Sequence, residues 1–225
     1  MDKIMVYLET GKTRCFAGAL DWPGWCRSGR DEAAALQNLL DYGPRYGRAI
    51  QTARQGFTRP LEIAALMVVE RLPGGGGTDF GAPGQVPSGD AQPITADELQ
   101  RQTALLRACW ENFDAAASAV SGSELRKGPR GGGRDLEKII EHVQMAEVAY
   151  LSRLGGKLDT PSGTGAELIL HATRSAILQT LERAAQGAMP PAGPRGGQRW
   201  PARYFVRRAA WHVLDHAWEI EDRRL

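Results

Sequence analysis

Two of the four histidines in this 225-residue chain stand four residues apart, in Trp211-His212-Val213-Leu214-Asp215-His216. On a helix that spacing is about 40° of rotation and about 6 Å of rise, so both imidazoles leave from one side and can chelate a single ion. His142 lies in an earlier helical segment, Ile139-Ile-Glu-His-Val-Gln-Met-Ala-Glu147. Small Ala146 and Ala149 on its face leave room for a neighbouring helix or a ligand. Three imidazoles meeting at one ion would leave a coordination position open for water or substrate. The fourth histidine, His171, has no spaced partner and stays outside this constellation.

A helical wheel places Phe205, Arg208, Asp215, His216, Glu219 and Arg223 within about 60° of His212. The rest of the segment is almost entirely apolar, including Val206, Ala209, Ala210, Trp211, Val213, Leu214, Ala217, Trp218 and Ile220. Two readings of the polar stripe compete. It is either a solvent face laced by i,i+3 and i,i+4 ion pairs, or the lining of a polar pocket. The H-x-x-x-H spacing alone, without the glutamate of a zincin motif, does not decide.

The elements that would position these residues fall after a Gly/Pro-rich stretch, 73–94, which reads as a linker. From 95 to 225 the chain is helical. Thr95, with Glu98 three residues on, starts a helix reaching Ala119. A second runs from Asp135 to Leu154 and ends at Gly155-Gly156. The third covers Glu167 to Gln186 and the fourth Ala202 to Arg224, an arrangement expected of a four-helix bundle.

Residues 1–72 differ in character. Ile4–Leu8 and Cys15–Leu20 read as a hairpin turning at Gly11 and Lys12. Asp31 caps a helix carrying Ala35, Leu36, Leu39 and Leu40. Glu62 to Glu70 reads as a third strand, with helix the alternative for so short an apolar run. The fold class expected is therefore α+β, a ββαβ module followed by an all-α bundle.

Composition excludes several classes. With 28 basic and 26 acidic residues the net charge is +2, which offers no nucleic-acid footprint. No apolar run approaches the roughly 18 residues of a membrane span, and no signal peptide is visible. Three cysteines, Cys15, Cys26 and Cys109, are too few and too scattered for a disulfide framework, so a cytoplasmic setting is expected. Cys109 reads as core. Trp200, Trp211 and Trp218 read as packing, with Trp211 a candidate pocket wall. The basic stretch from Lys127 to Arg134 reads as a solvated loop, with phosphate binding the alternative.

Two resemblances follow from these residues. Leu20-Asp-Trp-Pro-Gly-Trp25, Gly29 and the Glu32-Ala-Ala-Ala-Leu36 helix resemble the HicB-like antitoxin fold, although Asp21 and Trp22 interrupt the usual turn. A histidine in the second helix followed by the Arg203–Arg223 helix with its H-x-x-x-H pair resembles the DinB/YfiT-like superfamily over residues 95–225. That resemblance implies a four-helix bundle holding a divalent metal on His142, His212 and His216. It also implies a metal-dependent enzyme acting on a small molecule, by analogy a mycothiol- or bacillithiol-type thiol S-transferase. A hydrolase, or a non-catalytic binding or regulatory protein using the HicB-like module, are the alternatives, and a homodimer is the default assembly. Imidazole ligands suit zinc, nickel or iron. Asp215 and Glu219 are candidates to orient the histidines, and Arg208, one turn before His212, to hold a substrate carboxylate.

Overall fold

A computed structural model describes residues 3–127, 133–158, 165–188, 192 and 197–225. Its layout is α+β, a four-stranded mixed sheet followed by long helices. Strands β1 (Ile4–Thr10) and β2 (Cys15–Ala19) form the expected hairpin, closed by the Gly11 amide on the Arg14 carbonyl. Helix α1 (Glu32–Ala49) starts where Asp31 accepts from the Ala34 amide.

Two corrections apply to the sheet. A strand absent from the sequence reading, β3 (Cys26–Gly29), pairs antiparallel with β2. Its residues Cys-Arg-Ser-Gly carry no alternating apolar pattern, so only pairing with β2 reveals it. The strand expected at Glu62–Glu70 is β4 (Leu66–Pro73), preceded by a 3₁₀ turn at Ile63–Ala65. It runs parallel to β1, with a register shift where Val6 and Tyr7 face Val68 and Glu70. The module is thus βββαβ, ordered β3-β2-β1-β4.

The stretch 73–94 is more structured than its composition suggests. It contains a short helix, α2 (Gly76–Phe80), and a 3₁₀ turn at Ser88–Ala91. Its polar groups meet two buried charges. Glu9 accepts from Thr78 Oγ1 and from the amides of Gly84 and Gln85. Asp90 takes both Nε and Nη2 of Arg207, each at 2.7 Å. These contacts strap the segment across β1 and the last helix.

The four long helices lie close to their expected bounds: α3 (Ala96–Ser118), α4 (Leu136–Leu154), α5 (Ala166–Ala185) and α6 (Ala202–Asp222). Thr95 caps α3 by accepting from the Glu98 amide, and Gly155 ends α4 in the left-handed conformation, φ 103°. Helix α6 packs on α3, α4 and α5. Its remaining side meets the sheet module through Gly24, whose φ of 91° disfavours any side chain. A Cβ there would also lie 3.0 Å from Leu214 and 3.1 Å from Ala210, so glycine permits this close approach. One continuous core therefore joins Val6, Trp25, Leu39 and Tyr46 to Leu105, Phe113, Ile139 and Leu214. Among the described residues no helix is long and apolar enough to cross a membrane.

Candidate metal centre

Helix α6 is buried along most of its length, with only Glu221 and Asp222 at its end exposed, and its polar stripe is read from that burial. His212 and His216 are 7% and 9% exposed, so the stripe is not a solvent face. Apolar residues around nearly the whole circumference bury the helix, and polar residues on it must then find partners inside the protein. Helix α4 carries His142 to the same place. Its Nε2 lies 3.2 Å from His212 Nε2, and its ring centroid lies 4.9 Å from that of His216.

One nitrogen from each of His142, His212 and His216 falls within 4.8 Å of the other two. For nitrogens about 2.0–2.1 Å from a tetrahedral ion, the separation between ligands is about 3.3 Å. The 3.2 Å between His142 and His212 already matches that spacing, and no pair of the three exceeds 4.8 Å. The donor chemistry, three imidazoles without a thiolate, fits a borderline divalent ion. These three histidines can hold a metal ion.

Electrostatics keep the donors in the ligating form. Burial first, then the neighbouring His216 and Arg208, hold the His212 pKa well below the usual imidazole value. His142, half-buried, is also lowered, by burial and then by His216 and Arg134. Both rings are therefore neutral near pH 7, with a lone pair available. The third ring is oriented from outside the triad. His216 Nδ1 donates to Glu219 Oε2 at 2.8 Å, leaving Nε2 free to face the other rings. Glu219 is itself held by Arg223 Nη1 at 2.8 Å, and its pKa is lowered mainly by the His216 hydrogen bond.

The other candidates divide. Glu219 makes the contact with a histidine that an orienting role requires. Asp215 does not: its carboxylate accepts from Arg27 Nη1 at 3.0 Å, binding β3 to α6 instead of a histidine. His212 Nδ1 is buried with no hydrogen-bond partner among the described residues. Arg208 donates to the Pro83 carbonyl at 2.8 Å and lies over the rings of Trp211 and Tyr150. His171 is exposed on α5, apart from the triad. Of the face flanking His142, Ala146 is half-buried and Ala149 is exposed. Most of the basic stretch between Lys127 and Arg134 lies outside the described residues.

No protein-family model, curated protein or solved structure matches this chain. The functional reading therefore rests on the residues themselves.

Several residues at or near the centre escaped the sequence reading. Tyr150 stands edge-on to His212 at 5.7 Å and against Trp200 at 5.1 Å. Eight residues after His142 on one helix, it was detectable as a same-face neighbour. Arg207, buried with Asp90 in an ion pair, stands beside Arg208 in sequence and looks no different from it there, and its partner sits in a stretch without periodicity. Trp211 packs as expected, meeting Phe16 edge-to-face at 6.2 Å and lying with Cys26 and Ala82. The cysteines are buried and pushed toward the thiol form: Cys26 up to about 12 by burial, with Cys15 and Cys109 also raised by burial. None is poised as a nucleophile.

Proposed function

We propose that this chain binds a divalent metal ion through His142, His212 and His216 and uses it on a small-molecule substrate. The observation that carries the reading is the convergence of three ring nitrogens from two helices within 4.8 Å. One imidazole N–H donating to another would account for the His142–His212 pair alone, whereas an ion also accounts for His216 facing the same point. We read residues 95–225 as a DinB-like four-helix bundle. The closed ring of contacts from α3 to α6, α4, α5 and back to α3 supports that reading. The first 72 residues are the HicB-like module in the same proposal.

Zinc, nickel or iron suits the donor set, and such an ion lowers the pKa of a bound water or thiol and polarises bound oxygen. The chain's own contribution is to keep His142 and His212 neutral by burial and to hold the His216 tautomer through Glu219. Trp211 and Tyr150 shield the site with apolar surface, which strengthens electrostatic interactions there. The reaction class proposed is transfer of a low-molecular-weight thiol to an electrophile, with hydrolysis the second choice for the same donor set.

The test is metal analysis of protein purified without added metal, together with melting curves in chelator and in excess zinc or nickel. About one ion per chain and a melting temperature raised by metal are expected, both lost in His212→Ala/His216→Ala. A chain that folds normally and ignores both chelator and ions refutes the reading.

A further inference from the structure

We propose that the small molecule handled at the three-histidine centre carries a carboxylate, held by Arg208. The proposal rests on the metal reading above and adds the substrate class. It starts from a contrast among the arginines near α6. Arg203 pairs with Glu98, Arg207 with Asp90, and Arg223 with Glu219. Among the described residues Arg208 pairs with no carboxylate. Half-buried, it gives one N–H to the Pro83 carbonyl and also hydrogen-bonds the Tyr150 side chain, which leaves the rest of its five N–H groups for a ligand.

Its position points toward the centre. Arg208 lies one turn before His212 on α6, about 6 Å along the axis. Its Cζ lies 4.6 Å from the Trp211 ring centroid and 5.7 Å from that of Tyr150. Tyr150 in turn stands edge-on to His212 at 5.7 Å. Stacking on two aromatic rings and a carbonyl bond from the strap fix the guanidinium, so little freedom is lost when an anion binds. The paired N–H groups of a guanidinium match the two oxygens of a carboxylate.

Charge balance argues the same way. Three neutral imidazoles leave a divalent ion uncompensated, and the nearby carboxylate of Glu219 is already shared between His216 and Arg223. Arg208 adds a further positive charge. An anionic ligand is what such a site lacks. The Tyr150 ring lies against both Arg208 and His212, so a ligand series of graded length reads the spacing between the carboxylate and the metal-binding atom.

The experiment uses the full chain loaded with cobalt(II), whose visible spectrum reports ligand entry. Straight-chain ω-mercapto acids of three to eight carbons are titrated against their neutral amides. The acid is expected to bind about tenfold more tightly than its amide at one preferred length, the size of one charge-assisted pair. Arg208→Gln should bring the ratio to within about twofold while leaving amide affinity and the cobalt spectrum intact, and Arg208→Lys should keep part of the preference. Equal binding of acid and amide at every length in the unmodified protein overturns the proposal, as does a preference that survives Arg208→Gln. Failure of cobalt to bind at all overturns the metal reading and this proposal together. A normal cobalt spectrum without acid preference overturns only this one.

Discussion

Replacing Glu147 by glutamine should stabilise the protein at pH 8 and lose that benefit at pH 5. Glu147 is 1% exposed on α4, and among the described residues neither carboxylate oxygen completes a well-formed hydrogen bond. Its nearest cation, Arg174 Nε, is 3.5 Å away, while Arg174 spends Nη1 and Nη2 on Asp114 at 2.6 and 2.9 Å. Burial, only partly offset by Arg174 and Trp110, raises the Glu147 pKa from 4.5 to about 7. The folded state therefore binds a proton that the unfolded chain releases between those values. That contribution is fully present below pH 4.5 and lost as pH rises through about 7. The interval corresponds to about 3 kcal/mol of stability forfeited at pH 8. Glutamine has the same shape and no charge to desolvate, so Glu147→Gln should recover between about 1 and 3 kcal/mol at pH 8. Urea denaturation at pH 5 and pH 8, in chelator to exclude metal effects, measures the difference. A variant equally stable to the unmodified protein at pH 8, or one whose effect is the same at both pH values, would refute this account of the α3–α4–α5 interior.

Other consequences concern the centre and its supports. Asp90→Ala leaves Arg207 buried without its counter-charge and should cost about 3–5 kcal/mol in chemical denaturation, whereas a loss under 1 kcal/mol would mean the strap does not hold the two halves together. Glu219→Gln should weaken metal affinity about 10–100-fold in competition with a chromophoric chelator, because the His216 tautomer loses its charged acceptor. Unchanged affinity would remove Glu219 from the site. In the metal-free protein His142 and His212 titrate below their unfolded values, so stability should fall as pH drops below about 6.5. His142→Gln should flatten that fall, and an identical pH profile in the variant would show that His142 is not desolvated as described.

The helical half was legible because its signals are local. Thr95 capping, the Gly155 stop and the apolar repeats of α4 and α6 depend on residues within a turn or two of one another. The hairpin β1–β2 was legible for the same reason. Strand β3 was not, since a four-residue strand without alternation exists only by pairing with β2. The strap between β4 and α3 was also missed. Its glycines and prolines report turn chemistry, but Asp90 and the Gly84 and Gln85 amides acquire meaning only opposite Arg207 and Glu9.

The amino-acid sequence by itself determined that His212 and His216 share one side of a helix, because a spacing of four is set by helical geometry. It did not determine whether that side met water or protein. The outcome depended on contacts far along the chain: α4 bringing His142 Nε2 to 3.2 Å, and the sheet module closing over α6 at Gly24. Tertiary packing also separated two acidic neighbours on the same stripe, sending Glu219 to His216 and Asp215 to Arg27. One turn of helix places both carboxylates within reach of the histidines. Which one meets a histidine is decided by tertiary packing: Asp215 faces Arg27 of β3, while Glu219 meets His216 and Arg223 within α6.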